Sequence, residues 1–438
     1  MLQEAAQKTI DNEKGMVLVL CLLIIVVLVL LGSVAVTTST TDLKIAGNYK
    51  TSVQAVYSAE GGIREALERL RGTNTDANYA GDPAASIDAW WAAYILTDSS
   101  WQTSSDPDYS NYYKNYIPTT ASHTTTTVTA NSLQSTIPYF VKIKHKREFD
   151  AEQNGHTTLA THYFDNDGST GINTAVSPGN IVYYGYGNAA TPTTALQFTT
   201  SSATEYSPVE IITAYGLVGT SLKRIRVEAA RNPGPVITSA IYAKGNITGN
   251  GSALVVDGND NCAAAAPAKP PTYTQSPSIT DPNGSPVFTP DPPGPQQGTL
   301  NIDIAGYVSS LQGSATMIIT EDHDDNIGSP TNFVTCYSNT ASPLNVNGLR
   351  MSNMTGYGIL LVQGNLELSG GFNWNGLVLC TGVLTFNGGG AGVNIRGAVL
   401  ANQTVTINGG LDIRYDSCMV SSSLNSQALN MLSWKELY

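Results

Sequence analysis

The sequence predicts an α+β protein: a long N-terminal membrane-spanning α-helix packed on an antiparallel sheet, followed by a β-rich domain wound like a parallel β-helix. Three observations predict it. Residues 16–41 carry no charge, and residues 16–36, MVLVLCLLIIVVLVLLGSVAV, are long enough as a helix to cross a hydrocarbon core of ~30 Å. Between residues 138 and 229, stretches rich in β-branched and aromatic residues alternate in part with polar ones, as antiparallel strands do. In the C-terminal third the chain repeats itself with starts at Gly358, Gly376 and Gly397, 18 and then 21 residues apart, which is the coil length of a solenoid.

The helix comes first. A short segment with charges of both signs (Glu4, Lys8, Asp11, Glu13, Lys14) precedes the apolar run and ends in Lys14-Gly15. A secretory signal peptide places its small-residue cleavage site after the apolar stretch, whereas the cleavage-like feature here lies before it. Beyond the membrane, Leu43, Ala46, Tyr49, Val53, Val56, Ile63, Leu67 and Leu70 recur by threes and fours, apart from one gap at residues 60–62. That spacing continues the same helix as an amphipathic one. Glu65 and Arg69 stand four apart in the favourable order, and Gly72 is well placed to end the helix. Cys21 follows Leu20 rather than the Gly or Ala of a lipobox, and reads as a small apolar residue.

Lys14-Gly15 before an apolar helix, followed by Ile45-Ala46-Gly47-Asn48-Tyr49, Ala55 and Ser58-Ala59-Glu60, resembles the N-terminal region of type IV pilins, and of PilX-type minor pilins in particular. The resemblance covers about 60 of 438 residues. It implies a class III leader at residues 1–15 and a prepilin peptidase cut between Gly15 and Met16. It further implies N-methylation of Met16 and a pilin helix at 16–72 with the membrane span at 16–36. The implied partners are other minor pilins, the major pilin, the inner-membrane assembly platform and a PilY-type tip adhesin. The implied location is the inner membrane before assembly and the pilus fibre after it. Most major pilins have Glu as the fifth mature residue; here Leu20 stands there, and since PilX-type proteins and the tip pseudopilin of type II secretion commonly lack that Glu, the departure implies a minor, tip-proximal subunit. A type II secretion minor pseudopilin is the alternative within the same superfamily.

Residues 73–233 then form a pilin-like, β-rich globular domain. Residues 73–135, rich in Thr, Ser, Asn, Asp and Tyr, read as loops with one short helix, attached to a core through Trp90, Trp91 and Trp101. Strands are expected at 138–149 (PYFVKIKHKREF), 180–186, 209–218 and 222–229, the last two joined as a hairpin around Gly219-Thr220-Ser221. Lys142, Lys144 and Lys146 alternate along one strand and read as its solvated face rather than a nucleic-acid stripe.

Residues 234–438 form the solenoid. Gly358-ILLVQ-Gly364-NLELS, Gly376-LVLCT-Gly382-VLTFN and Gly397-AVLAN-Gln403-TVTIN align without gaps, and Ala240-IYAK-Gly245-NITGN looks like an earlier coil. A proline-rich insertion at about 259–300 interrupts the stack, and residues 300–311 read as a helix. The segments 413–420 and the C-terminus around Trp434 are candidates to cap the stack.

The net charge of −12 argues against nucleic acid or anionic lipid as the main partner. Four cysteines outside the membrane segment, Cys262, Cys336, Cys380 and Cys418, fit two disulfides of open connectivity, formed in an oxidising compartment. No cofactor is expected. The acidic run Glu321-Asp322-His323-Asp324-Asp325 offers carboxylates for a structural calcium, but reads first as a solvated loop, and Asp165-Asn166-Asp167-Gly168 reads as a turn. Parallel β-helices can host glycan-cleaving sites, so a membrane-tethered glycan-binding or glycan-cleaving protein is the alternative from another class. The aligned coils offer only Glu367 as a charged strand residue, with Arg396, Asp412 and Arg414 at the edges, and the five histidines are scattered. The chain reads as a structural protein, not an enzyme.

Overall fold

The structure, a computed structural model, describes residues 2–70, 91–96, 125–129, 139–146, 181–186, 196–199, 206–250, 254–262, 267–275, 279–280, 287–298, 300–339 and 348–437. The N-terminal helix Leu2–Arg69 is continuous over 68 residues, a rod of about 100 Å. It does not break at Gly15 or at Gly61-Gly62. Its C-terminal part docks through Ala55, Ala59, Ile63, Ala66 and Leu70, all buried and one turn apart. Gly62 sits on this face because a Cβ there would lie 2.8 Å from Val141 Cγ2. Arg231, 2% exposed, donates to the Leu70 carbonyl and, through Nε, to the Asn425 carbonyl at 2.8 Å, so a buried cation satisfies the helix end. Gly72 lies outside the described residues.

The sheet beneath the helix has six strands in the order Thr125–Thr129, Ala92–Leu96, Tyr139–His145, Glu210–Val218, Ser221–Ala230 and Asn430–Leu437. All neighbours are antiparallel except the first pair. Alternate residues supply the helix-facing core: Ala93 and Ile95, Val141 and Ile143, Ile212 and Ala214, Ile225 and Val227. The predicted hairpin closes with Val218 opposite Ser221, so the turn is Gly219-Thr220, with Gly219 at φ 59°. Within 73–135, the described residues Ala92–Leu96 and Thr125–Thr129 are strands, where loops and a short helix were expected. Trp91 is buried beside them, as an attachment point should be; Trp90 and Trp101 lie outside the described residues.

The lysine face is not solvated. Lys142, Lys144 and Lys146 are 2%, 8% and 1% exposed. Their strand is an interior one, and its second face is covered as well, with Tyr94, Phe140 and Tyr215 packed together on it. Lys146 Nζ donates to Glu228 at 2.8 Å, and His145 Nδ1 lies 3.0 Å from Glu210 on the other face. Burial of these charges requires such partners, since an unpaired one costs several kcal/mol.

The C-terminal segment lies elsewhere than expected. Asn430–Leu437 does not cap the solenoid; it returns to the first sheet and pairs with Ser221–Ala230, Trp434 opposite Val227. The solenoid is therefore an insertion between two adjacent strands of one sheet.

Within the solenoid the repeats stack in the register read from the sequence. Gly358, Gly376 and Gly397 are direct partners, as are Leu366, Leu384 and Val405. Their Leu, Val, Ile and Phe side chains fill one core. The early coil is present, but Ile241 pairs with Val399, so it stacks on the last repeat rather than the first. The chain thus enters the stack in its middle and winds outward through Thr272–Thr274 and Gln296–Gln297. It then crosses by the helix Ile304–Gln312, whose N-terminal Gly306 N–H bonds Asp303 at 2.9 Å, and restarts at Met317–Ile318 to wind back. The proline-rich segment, expected to be irregular, supplies short strands at Thr272–Thr274, Val287–Thr289 and Gln296–Gln297. Among its described prolines, Pro271, Pro290 and Pro295 stand directly beside these strands, outside the ladders, where no strand N–H is lost. The helix Ser417–Asn425 lies along the coils, with Ser423 Oγ donating to the Gly358 carbonyl at 3.1 Å.

Candidate functional site

The feature that the fold leaves without a partner is the N-terminal half of the long helix. From Gly15 to Lys50 every residue is exposed. Met16 is 71% and Leu20 59% exposed, and the most apolar stretch of the membrane-length helix Gly15–Arg69 is 0% buried against its own chain. So long an apolar surface is not stable in water, and it needs lipid or other helices around it. Most of the hydroxyls at its membrane-side end are satisfied locally. Thr37, Thr38 and Thr41 donate to the carbonyls of Ser33, Val34 and Thr37 at 2.5, 2.9 and 2.8 Å, and Ser33 to that of Leu30 at 2.8 Å. A helix that satisfies its own hydroxyls can enter a medium without water at little cost.

The structure separates the motif residues into two groups. Ala46, Gly47 and Asn48 lie on the exposed half, and a Cβ added to Gly47 would meet nothing within 4 Å, so the small surface is open to a second helix. Ala59 is fully buried against the sheet, while Glu60 beside it is half-buried. Sequence reasoning missed what Ala59 meets: at Gly216 a Cβ would lie 2.0 Å from the Ala55 carbonyl oxygen and 2.7 Å from the Ala59 nitrogen, so helix and strand backbones touch there. A lone glycine within the otherwise β-forming EIITAYGLV was the available signal. Equally unforeseen is the Tyr139 hydroxyl, which donates to Glu65, itself held by Arg69 at 2.8 Å. Burial first, and the Glu65 carboxylate second, push the Tyr139 phenol well above its usual range.

Of the four soluble cysteines, Cys262 and Cys418 are joined. Cys336 and Cys380 are free and buried, which corrects the expectation of a second disulfide. Cys336 lies opposite Leu360 and Cys380 opposite Val362, so an entire strand and a two-residue offset separate them. With strands ~4.8 Å apart, that exceeds the Cα separation a disulfide can span. Burial pushes both thiols up to about 12. Native protein at pH 8 is accordingly expected to leave both unmodified by iodoacetamide over the time in which denatured protein is fully alkylated. Mass mapping checks this, and rapid native labelling of either would contradict the burial.

The acidic run Glu321-Asp322-His323-Asp324-Asp325 is an exposed edge of the stack, tied by Arg350 N–H to Asp322 at 3.1 Å. Among the described residues, the one group of close metal-type ligands is Cys262, Asp416 and Cys418, whose two sulfurs are already bonded to each other. Asp165-Asn166-Asp167-Gly168 lies outside the described residues.

Residues 14–64 match the family model described as PilX N-terminal. No curated protein matches the chain. Among solved structures, the competence-associated pilin ComZ from Thermus thermophilus is 10% identical, with 88% of this chain and 98% of that one covered and a TM-score of 0.22. An ice binding protein from an Antarctic biological consortium is 15% identical over 41% of this chain and 87% of its own, with a TM-score of 0.20.

Proposed function

We propose that this pilin-like chain is a minor pilin of a type IV pilus, which primes assembly of the fibre and displays its solenoid at or near the tip. The observation that carries the reading is the match of residues 14–64 to the PilX N-terminal family, over a helix whose first half has no partner in its own chain. The prepilin peptidase would cut between Gly15 and Met16 and leave Met16 as the N-methylated terminus. The exposed helix, with Ala46, Gly47 and Asn48 on its surface, would then pack among the helices of other minor pilins and the major pilin after release from the assembly platform. A PilY-type adhesin fits as a tip partner. In this role the protein is structural rather than enzymatic.

Leu20 supports a place at the tip. A Glu at the fifth mature position would neutralise the N-terminal amine of the preceding subunit, and leucine cannot. A subunit entering first has no predecessor, whereas one inserted in the shaft would leave an amine unpaired in an apolar medium at a cost of several kcal/mol. Immunogold labelling with antibody to the solenoid is expected to mark fibre ends, and deletion of the gene to reduce piliation. Label spaced along whole fibres would contradict the tip role, and unchanged piliation would contradict priming.

A further inference from the structure

A cavity of about 360 Å³ opens on one side face of the solenoid, lined by Asn261, Asn394, Ile395, Arg396, Asp412 and Arg414. Register builds it. Tyr357, Asn375, Arg396, Arg414 and Asp257 are successive partners across five strands, with Asn394 and Asp412 in the parallel row two residues earlier. Neighbouring strands are ~4.8 Å apart, so the two guanidinium stems emerge side by side.

The charges there are already paired. Arg414 contacts Asp412 through Nε at 2.9 and 3.2 Å and through Nη2 at 3.0 Å. Arg396 donates one N–H to Asp416 at 3.3 Å, and the other oxygen of that carboxylate caps the helix Ser417–Asn425 through Met419 N–H at 3.0 Å. Both arginine side chains stay about half exposed, 54% for Arg396 and 47% for Arg414. Arg396 and Arg414 keep further N–H donors, and Asn394, whose amide nitrogen bonds Asn373 at 3.0 Å, keeps its carbonyl oxygen. Asp257 and Asp260 stand beside the cavity, Asp260 holding Ser417 N at 2.8 Å, and the whole chain is at −12. Four carboxylates around two cations repel an anionic ligand.

We propose that this face binds a neutral oligosaccharide. Each hydroxyl of a sugar both donates and accepts, and adjacent hydroxyls match a surface that alternates guanidinium and amide donors with carboxylate and amide acceptors. Groups already paired, Arg414 in a fork with Asp412 and Arg396 through one N–H to Asp416, lose little solvation or freedom when a polyol joins them. Further along the same row Tyr357 offers a half-exposed ring, fixed edge-on against Phe333 at 5.9 Å, as a stacking platform for another sugar unit. The inference stands apart from the reading as a pilus subunit, because its test uses purified protein.

The test is calorimetric titration of the full-length protein, in a zwitterionic detergent without a sugar headgroup. The probes are cellotetraose, maltotetraose, mannotetraose and the anionic tetragalacturonate. At least one neutral tetrasaccharide is expected to bind at millimolar concentration or below. Arg396→Ala, which also leaves the buried Asp416 without its cation and should lower the melting temperature, and Asn394→Ala, a variant of small volume change that leaves that pair intact, should each weaken that binding tenfold or more, and Thr385→Ala on another face should leave it intact. Binding of none of the neutral probes, preference for tetragalacturonate, or undiminished affinity in both Arg396→Ala and Asn394→Ala would overturn the proposal.

Discussion

Replacing Gly376 by alanine is expected to destabilise the solenoid by about 2–6 kcal/mol, the sum of a strained backbone and an overpacked contact. Gly376 has φ +137°, a conformation that L side chains rarely adopt. A Cβ there would stand 2.1 Å from the Gly358 carbonyl oxygen and 2.3 Å from Ser423 Oγ, so the added carbon would strike both the neighbouring coil and the flanking helix. Neither can retreat without breaking the register that aligns Gly358, Gly376 and Gly397. Since domains are stable by only ~5–15 kcal/mol, the loss should be plain in urea unfolding. Gly389, where a Cβ would meet nothing within 4 Å, is the control; its alanine variant should change stability by about 0.5 kcal/mol or less. Equal midpoints for the two variants would show that the coil register does not depend on the glycine ladder.

Removing the Cys262–Cys418 bridge should have an effect of similar size. The cysteines are 156 residues apart, and closing so long a loop limits the unfolded chain by an amount worth about 2–5 kcal/mol. The bridge joins the turn after the strand Leu254–Asp257 to the start of the helix Ser417–Asn425, and so locks the entry of the solenoid to its exit. Hydrogen bonds hold the same junction. Asp260 accepts from the Ser417 hydroxyl at 2.6 Å, and Asn261 donates to the Tyr415 carbonyl at 3.1 Å. The double variant Cys262→Ser, Cys418→Ser is therefore expected to fold but to unfold at a lower urea midpoint, matched by wild type in reductant. A midpoint insensitive to both would mean that the hydrogen bonds alone fix the junction.

Both effects depend on features of unequal legibility. The glycine register could be read directly, because a coil that repeats its length and its side-chain pattern can stack on its neighbour in only one way. Which coils are neighbours could not. Ala240-IYAK resembles the later repeats, yet nothing local distinguishes stacking before Gly358 from stacking after Gly397, and the structure has the latter. The return strand Asn430–Leu437 was equally hidden. NMLSWKEL shows no clean alternation, and its pairing is specified by Ser221–Ala230, some 200 residues earlier. Lys142, Lys144 and Lys146 misled for a physical reason, since alternation distinguishes two faces but does not say whether the polar one is covered. Cysteine parity failed too, because an even count cannot say whether two sulfurs come within bonding distance. In the N-terminal helix, by contrast, apolar length and the order of short motifs are local properties, and the match at residues 14–64 falls on the same residues.

The most direct measurement of the central claim is the intact mass and N-terminal sequence of the protein recovered from membranes of cells that carry a prepilin peptidase. A pilin is expected to begin at Met16, N-methylated, with Leu20 as its fifth residue and residues 1–15 absent. A chain that keeps residues 1–15, or one cut after the apolar segment beyond residue 36, would contradict the account.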